Sequence, residues 1–242
     1  MNSGERIEIP FASKRLREEH FARYNFCFDY IEGKKVLDIA CGSGYGSDLL
    51  AQNGASYVIG ADVAEKVINQ NKELYDRENL RFEFADAENL PFEDNFFDVV
   101  VSFETIEHLH EPENFLQGAK RVLKDNGLLI ISTPNKKITS PFTKKPQNKF
   151  HIKEYKADDL HHIISKYFEM IYMGGQRQIP RYYANILVRY FFRVLFRFLR
   201  IFDVNGTRIY STKYPANVVK NNNSTEPRIF VVVAANKYGT LS

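Results

Sequence analysis

The chain has 242 residues, 44% of them hydrophobic, and a formal net charge of +3. That is enough for one sizeable core, and a single α/β domain over 1–242 is expected. Met1–Pro10 carries Glu5 and Glu8 and lacks a continuous apolar stretch, so a secretory leader is not expected. No run of about eighteen uncharged apolar residues is present, which argues against a spanning helix. Cys27 and Cys41 form neither a disulfide framework nor a paired metal motif, and a reducing cytoplasmic setting fits.

Hydrophobic periodicity predicts a helix over Ser13–Ile31, a buried strand over Lys35–Ala40 and a helix over Gly46–Asn53 ended by Gly54. A strand over Tyr57–Ala61, a helix over Glu65–Tyr75 and strands over Leu80–Ala85 and Phe97–Phe103 follow. Pro112–Lys124 reads as a helix closed by Asp125–Asn126–Gly127. A strand over Leu128–Ser132, a helix over Lys156–Tyr167, and strands over Phe168–Met173 and Arg228–Asn236 complete the pattern. Strands alternating with helices predict a mostly parallel sheet covered on both faces. Ligands of such sheets bind beyond the carboxyl ends of the strands.

Charge is unevenly spread. Asn135–Lys153 has six lysines and no acid, and Arg181–Lys220 has eight basic residues against Asp203 alone, which leaves the remainder at about −10. An acidic body with two basic segments suggests an anionic partner beside them, where the alternative is two solvated loops.

The stretch VLDIACGSGYGS, Val36–Ser47, ends an apolar strand on an acid and turns through Gly42, Gly44 and Gly46. Glycines permit a tight turn and close backbone approach by a ligand. A dinucleotide would want a differently spaced third glycine, and Asp38 would repel its pyrophosphate. A cationic ligand such as S-adenosylmethionine, which carries an ammonium and a sulfonium, would be attracted instead. Asp62, ending the second strand in VIGADVA, suits a ribose diol, because two hydroxyl donors match two carboxylate oxygens. Asp86, in FADAENLPF after the third strand, suits an adenine amine; the Ala87 backbone could reach the ring and Phe103 could pack near it. The structural alternative for each acid is an N-cap or turn residue.

The segments VLDIACGSGYG, VIGADVA, FADAENLPF, FDVVVSFETIEHL and RVLKDNGLLIISTPN together resemble the class I S-adenosylmethionine-dependent methyltransferases, in order and spacing, from Val36 to Asn135. The resemblance implies a Rossmann-like sheet of seven strands, the last antiparallel. It also implies a cofactor site of Asp38, Ala40, Gly42, Gly44, Asp62, Val63, Asp86, Ala87 and Phe103. EEHFARYNF, Glu18–Phe26, resembles the start of many bacterial members, so Arg23 could meet the cofactor carboxylate and His20 or Tyr24 could line the pocket.

In FETIEHL, Glu104, Glu107 and His108 stand at i, i+3 and i+4, which share a face on a helical turn. Three uses stay open. His108 could be a general base oriented by Glu107. The group could hold a divalent ion such as Mg that lowers the pKa of a substrate hydroxyl. Or it could be an acid-rich turn with His108 packing. The E-x-x-E-H pattern resembles that of quinone-ring O-methyltransferases and of enzymes methylating the terminal ribose of small RNAs. In the latter a downstream histidine completes a metal site, and His151 lies in the corresponding place. His161 and His162 read as surface residues.

A basic insertion at about 176–227 is expected before the last strand. Within it Asn185–Phe202 places Arg189, Arg193, Arg197 and Arg200 as a stripe on an otherwise apolar helix. That pattern suits peripheral contact with a membrane surface, with domain packing or a dimer contact as alternatives. The expected function is O-methylation of a sugar hydroxyl on a small-molecule or lipid-linked glycan or nucleotide-sugar, since IISTPN…NKFHIKEY resembles methyltransferases found with surface-polysaccharide enzymes. Quinone or polyprenyl-phenol O-methylation, RNA 2′-O-methylation and a non-catalytic cofactor-binding adaptor are the alternatives. A nucleic-acid partner is not expected, because no RNA-binding module is appended.

Overall fold

The computed structural model describes residues 14–141, 143–180, 218–220 and 225–236. In chain order the elements are α1 (Lys14–Ile31), β1 (Lys35–Ile39), α2 (Tyr45–Gln52), β2 (Tyr57–Asp62), α3 (Glu65–Leu74), β3 (Leu80–Phe84) and β4 (Phe97–Phe103). After a 3-10 turn at Ile106–His108 come α4 (Pro112–Val122), β5 (Leu123–Pro134), α5 (Lys136–Thr139), α6 (Ala157–Ser165) and β6 (Glu169–Gln176). The short strands β7 (Ile179–Pro180), β8 (Val219–Lys220) and β9 (Thr225–Glu226) precede β10 (Ile229–Ala235).

The main sheet runs β3-β2-β1-β4-β5-β10-β6-β8. The pairs β1–β2, β1–β4, β2–β3 and β4–β5 are parallel, and β10 is antiparallel to both β5 and β6. Both faces are covered, so strand residues alternate between two cores. Val36, Val58, Val99 and Val101 meet Tyr24, Cys27, Leu50 and Ile68 on the face of α1–α3. Leu37, Ile59, Val100 and Ile131 meet Phe115, Leu116, Leu160 and Ile164 on the face of α4 and α6. Asp38 shares the side of Val36, which puts a carboxylate beneath α1.

Among the described residues the sheet has eight strands where seven were expected. The additional one, β8, lies within the expected insertion and pairs with the end of β6, Gly174 and Gly175 facing Lys220 and Val219. Strands β7 and β9, from its two ends, pair as a separate ribbon. The arginine-striped segment Asn185–Phe202 lies outside the described residues. Among the described residues no helix is long and apolar enough to cross a membrane.

Helix α4 ends two residues earlier than its periodicity suggests, because Leu123 pairs with Phe97 of β4. The bend that follows is held from the far end of the chain. Asn236 Nδ2 lies 3.1 Å from the carbonyls of Lys120, Leu123 and Lys124, and its backbone exchanges 2.8 Å hydrogen bonds with Asn126 and Gly127. Carbonyls at a helix end need such donors when buried. Replacing Asn236 with Ala is expected to cost about 1–3 kcal/mol. Urea unfolding should show a lower midpoint with an unchanged slope.

Candidate active site

The turn after β1 is left-handed at three positions: Ala40 (φ 62), Gly42 (φ 54) and Gly44 (φ 75). Ala40 adopts this region against its Cβ, a cost of about 1–2 kcal/mol. The turn is held by Gly42 N donating to Asp62 Oδ2 at 3.0 Å, Cys41 N to the Ala61 carbonyl at 2.9 Å, and Asn71 Nδ2 to the Gly42 carbonyl at 2.8 Å. Gly46 has a different reason to be glycine. A Cβ there would overlap the Tyr24 ring. The third glycine therefore serves helix packing, where the spacing had suggested an approach for a ligand.

Asp38 was expected to face a cationic ligand at the strand end. It is 1% exposed and lies below that end. Ser47 Oγ donates to Oδ2 at 2.7 Å, and Tyr24 Oη sits 3.3 Å from both oxygens. Burial pushes its carboxyl up to about 7; the Ser47 and Tyr24 hydrogen bonds oppose the shift and the neighbouring charge of Asp62 adds to it. Through its field, and by holding Tyr24 and Ser47, Asp38 acts on the turn without opening onto it.

Asp62 is 5% exposed and accepts Gly42 N and Ala64 N at 3.0 Å, one on each oxygen. Val63 beside it is 59% exposed and offers an apolar surface. On the neighbouring strand, Ala85 N donates to the Asp62 carbonyl at 3.2 Å, so the β3 end abuts the β2 end. Asp86 is exposed, Ala87 buried, and Asp86 Oδ1 takes Glu88 N at 2.9 Å. Phe103 ends β4 with its ring edge-on to Tyr24, centroids 5.1 Å apart.

Helix α1 roofs this turn. Arg23 is 1% exposed, donates from Nη1 to Gln176 Oε1 at 2.7 Å, and lies over the Phe103 ring at 5.9 Å. Its Nε has no hydrogen-bond partner among the described residues. A buried guanidinium left partly unsatisfied calls for an anion. His20 Nδ1 lies 2.6 Å from Tyr45 Oη; burial, with the charge of Arg23, pushes its pKa down to about 2, so it stays neutral. Glu19 pairs with Arg177, which has φ 51. Gln176 and Arg177 went unread in the sequence, because β6 was expected to stop at Met173.

On the other side of β4 the expected four-residue cluster is not formed as a set. Glu104 has φ 53, which breaks the chain before the 3-10 turn begins at Ile106. Its carboxylate accepts Ser132 Oγ at 2.7 Å. Glu107, His108 and His151 do come together, each offering one ligand atom within 4.8 Å of the others. The correction is physical: i, i+3 and i+4 share a face only on a continuous α-turn, and here the backbone reverses at Glu104.

Hydrogen bonds orient both imidazoles. The Phe150 carbonyl, 3.0 Å from His108 Nδ1, can only accept, so that nitrogen carries a proton and the ring is held with Nε2 turned away from Phe150. His108 Nε2 lies 3.9 Å from Glu107 Oε1. Phe150 N donates to Asn148 Oδ1, which turns Asn148 Nδ2 toward His151 Nε2 at 3.0 Å. His151 therefore accepts at Nε2 and donates from Nδ1 to Glu154 Oε1 at 2.7 Å. Glu154 is buried and also takes Thr139 Oγ1 at 2.7 Å. Glu107 is buried, with Thr133 Oγ1 on Oε2 at 2.9 Å. Its backbone carbonyl accepts Ile152 N and Lys153 N at 2.8 and 3.1 Å, which docks the His151 segment onto the turn. Two imidazole nitrogens and a carboxylate form a set suited to taking a proton or holding a divalent ion. Glu154, Asn148 and Thr133 were missed in the sequence; the His151-x-x-Glu154 spacing was the available signal.

Residues 37–131 match the family model described as a methyltransferase domain. A Mycolicibacterium smegmatis protein named "probable S-adenosylmethionine-dependent methyltransferase" is 38% identical over 162 residues, 63% of this chain and 62% of that protein. A ubiquinone biosynthesis O-methyltransferase of Coxiella burnetii is 32% identical over 108 residues, 44% of this chain and 46% of that protein. The chain thus spans about half to three fifths of the length of these curated relatives. In fold it resembles an S-adenosylmethionine-dependent methyltransferase from Mesorhizobium loti, with TM-score 0.64 and 14% identity over 91% of this chain and 99% of that one.

Glu154→Ala removes the acceptor of the His151 Nδ1 proton. Nitrogen-15 spectra of the variant should show His151 leaving the single Nδ1–H tautomer, at a stability cost of about 1–3 kcal/mol. An unchanged His151 spectrum would mean that Glu154 does not set the tautomer.

Proposed function

We propose that this chain is an S-adenosylmethionine-dependent O-methyltransferase whose acceptor hydroxyl meets Glu107, His108 and His151. The observation that carries the hydroxyl reading is the convergence of Glu107, His108 and His151, one ligand atom of each within 4.8 Å of the others, with Glu107 buried. Bound S-adenosylmethionine would supply an electrophilic methyl group. Asp62 would take the ribose hydroxyls, Asp86 the adenine amine, Val63 and Phe103 the apolar faces, and Arg23 the cofactor carboxylate. The fit rests on the unpartnered Arg23 Nε, the buried Asp62 carboxylate at the end of β2 and the left-handed turn at Ala40–Gly44.

On the acceptor side, His108 Nε2 takes the hydroxyl proton while the Phe150 carbonyl holds its ring in place. Glu107 stabilises the imidazolium that forms, as a fixed negative charge in a dry setting. Most of the remaining rate would come from positioning. A second reading, a divalent ion on Glu107, His108 and His151, is favoured by the two Nε2 acceptors, since neutral imidazole with a carboxylate behind it is a common ligand arrangement. Such an ion would lower the hydroxyl pKa; Glu104, held by Ser132, is not part of this set.

For the acceptor, a sugar hydroxyl of a glycan, glycolipid or nucleotide-sugar remains the leading reading, supported by the resemblance around IISTPN and NKFHIKEY. A quinone-ring hydroxyl is the alternative, supported by the Coxiella relative's part in ubiquinone biosynthesis. Cytoplasmic location and membrane contact through 185–202 are part of the same proposal.

Transfer of labelled methyl from S-adenosylmethionine into fractionated host extract separates these readings. His108→Ala is expected to lower transfer about 100-fold or more with cofactor binding retained, and Asp62→Ala to abolish cofactor binding in calorimetry. Loss of label with EDTA and its return with a divalent ion would select the metal reading; survival of label in EDTA would select His108 as base.

Asp38 gives a pH test. Its raised pKa means the cofactor-free fold prefers the proton: this stabilisation is full below about 4 and is lost as pH rises through about 7. A cationic ligand favours the ionised form. Affinity for S-adenosylmethionine should therefore tighten by up to about tenfold per pH unit on approaching pH 7 and level off above it. Asp38→Asn should flatten the profile; an equally steep profile in that variant would assign the titration to another group.

A further inference from the structure

The loop of residues 143–153 carries four exposed lysines, Lys144, Lys145, Lys149 and Lys153, and no acid. Among the described residues none of the four forms an ion pair. The nearest acid in sequence, Glu154, is buried and engaged by His151 and Thr139. The loop is also fixed against the candidate site. Phe150 receives the His108 ring, and Ile152 N and Lys153 N bond the Glu107 carbonyl. Gln147 N closes the loop base on Ser140 Oγ at 2.8 Å. Lys149 and Lys153 each lie within one residue of a contact to the Glu107–His108 turn. Lys149 Nζ lies 4.8 Å from the Phe150 ring centre and Lys153 Nζ 5.1 Å from that of Tyr155, so aromatic faces guide both stems.

We infer that this loop is a phosphate-recognising wall beside Glu107, His108 and His151, and that the methyl acceptor is a compact molecule bearing a phosphomonoester or diphosphate near the hydroxyl that is methylated. The inference rests on the methyltransferase reading for the identity of the acceptor, while the phosphate site itself stands on the loop alone. Four ammonium groups confined to one short loop suit a small concentrated anion, because lysine binds phosphate as a movable point charge. A long polyanion is disfavoured, since the chain outside its two basic segments has a net charge of about −10 and would repel an extended phosphate track. The location gives the positive charge a use that a solvated surface loop would not have: it sets an anionic substrate against the groups that handle the hydroxyl proton.

The test is calorimetric titration of inorganic pyrophosphate into the full chain at low and at physiological ionic strength, with S-adenosylmethionine binding measured in parallel. The double variant Lys149→Gln/Lys153→Gln is expected to weaken pyrophosphate binding about tenfold or more, while S-adenosylmethionine affinity stays within about twofold. The control Lys34→Gln/Lys72→Gln, on exposed lysines elsewhere, should leave both unchanged. Pyrophosphate binding that is absent in the parent chain, unaffected by the loop variant, or equally reduced in the control would overturn the proposal. So would tighter binding of a single-stranded RNA oligonucleotide with a steep salt dependence, which would point to a polyanion instead. If pyrophosphate binds through the loop but S-adenosylmethionine does not bind at all, the phosphate site stands and the methyltransferase reading falls. In extract labelling, phosphatase treatment of the acceptor pool should remove methyl incorporation; label that stays in neutral acceptors would refute a phosphorylated acceptor.

Discussion

Strand β1 has neighbours that leave it in opposite directions, β2 toward one edge of the sheet and β4 toward the other. That reversal parts the loops at the carboxyl ends of the strands and leaves backbone accessible there. Nearly every residue assigned a role lies at such an end. Ala40–Gly44 follow β1, Asp62 closes β2, Asp86 follows β3, Phe103–His108 close and follow β4, and Gln176 closes β6. Thr133, near the end of β5, reaches Glu107. One topological fact thus gathers groups from six strands, and the helices serve chiefly to bury the sheet and roof the opening.

The second theme is charge kept out of water. Asp38, Glu107, Glu154, Glu19, Arg23 and Arg177 are all buried. Burying a charge costs several kcal/mol unless partners compensate. Glu19 and Arg177 compensate each other, and Glu154 has His151 and Thr139. Asp38 is compensated by hydroxyls alone and Arg23 by an amide, and both lie around the glycine turn. A ligand with a cationic centre and a carboxylate would relieve both. The same low-dielectric setting on the other side of β4 would strengthen any charge pairing between the buried Glu107 and His108, 3.9 Å apart.

Much of this was legible in the sequence because local and global preferences agree. The strands of the main parallel sheet are short apolar runs bounded by turn residues, and their register with the helices follows from two-face burial. What was not legible depended on long-range contacts. Periodicity placed Glu104 with Glu107 and His108, but a positive φ at Glu104 and its bond to Ser132 set it apart. Asp38 looked exposed at a strand end, and only the packing of α1 covers it. The need for Gly46 is visible only with Tyr24 above it. Residues 218–220 and 225–226 carry no strong strand pattern, and they pair because β6 and β7 present edges to them. Glu154 and Asn148 were hidden for the opposite reason: a buried acid in a lysine-rich loop has the composition of a solvated turn.

The place of β10 bears on how the chain reaches this structure. It follows every other described strand in sequence, yet it lies between β5 and β6, antiparallel to both. The strands β3-β2-β1-β4-β5 can pair as they leave the ribosome, since each joins a neighbour already made. Strand β6, its helix and the short β8 paired to it have no link to the rest of the sheet until β10 arrives to bridge the gap. A nascent chain would therefore hold the half of the sheet that carries the glycine turn early, with the β5 edge bare and Gln176 and Arg177 still unable to engage α1. For that interval the open edge is a place where another chain could add a strand. The order of synthesis thus makes β10 the step that both completes the described sheet and removes the hazard.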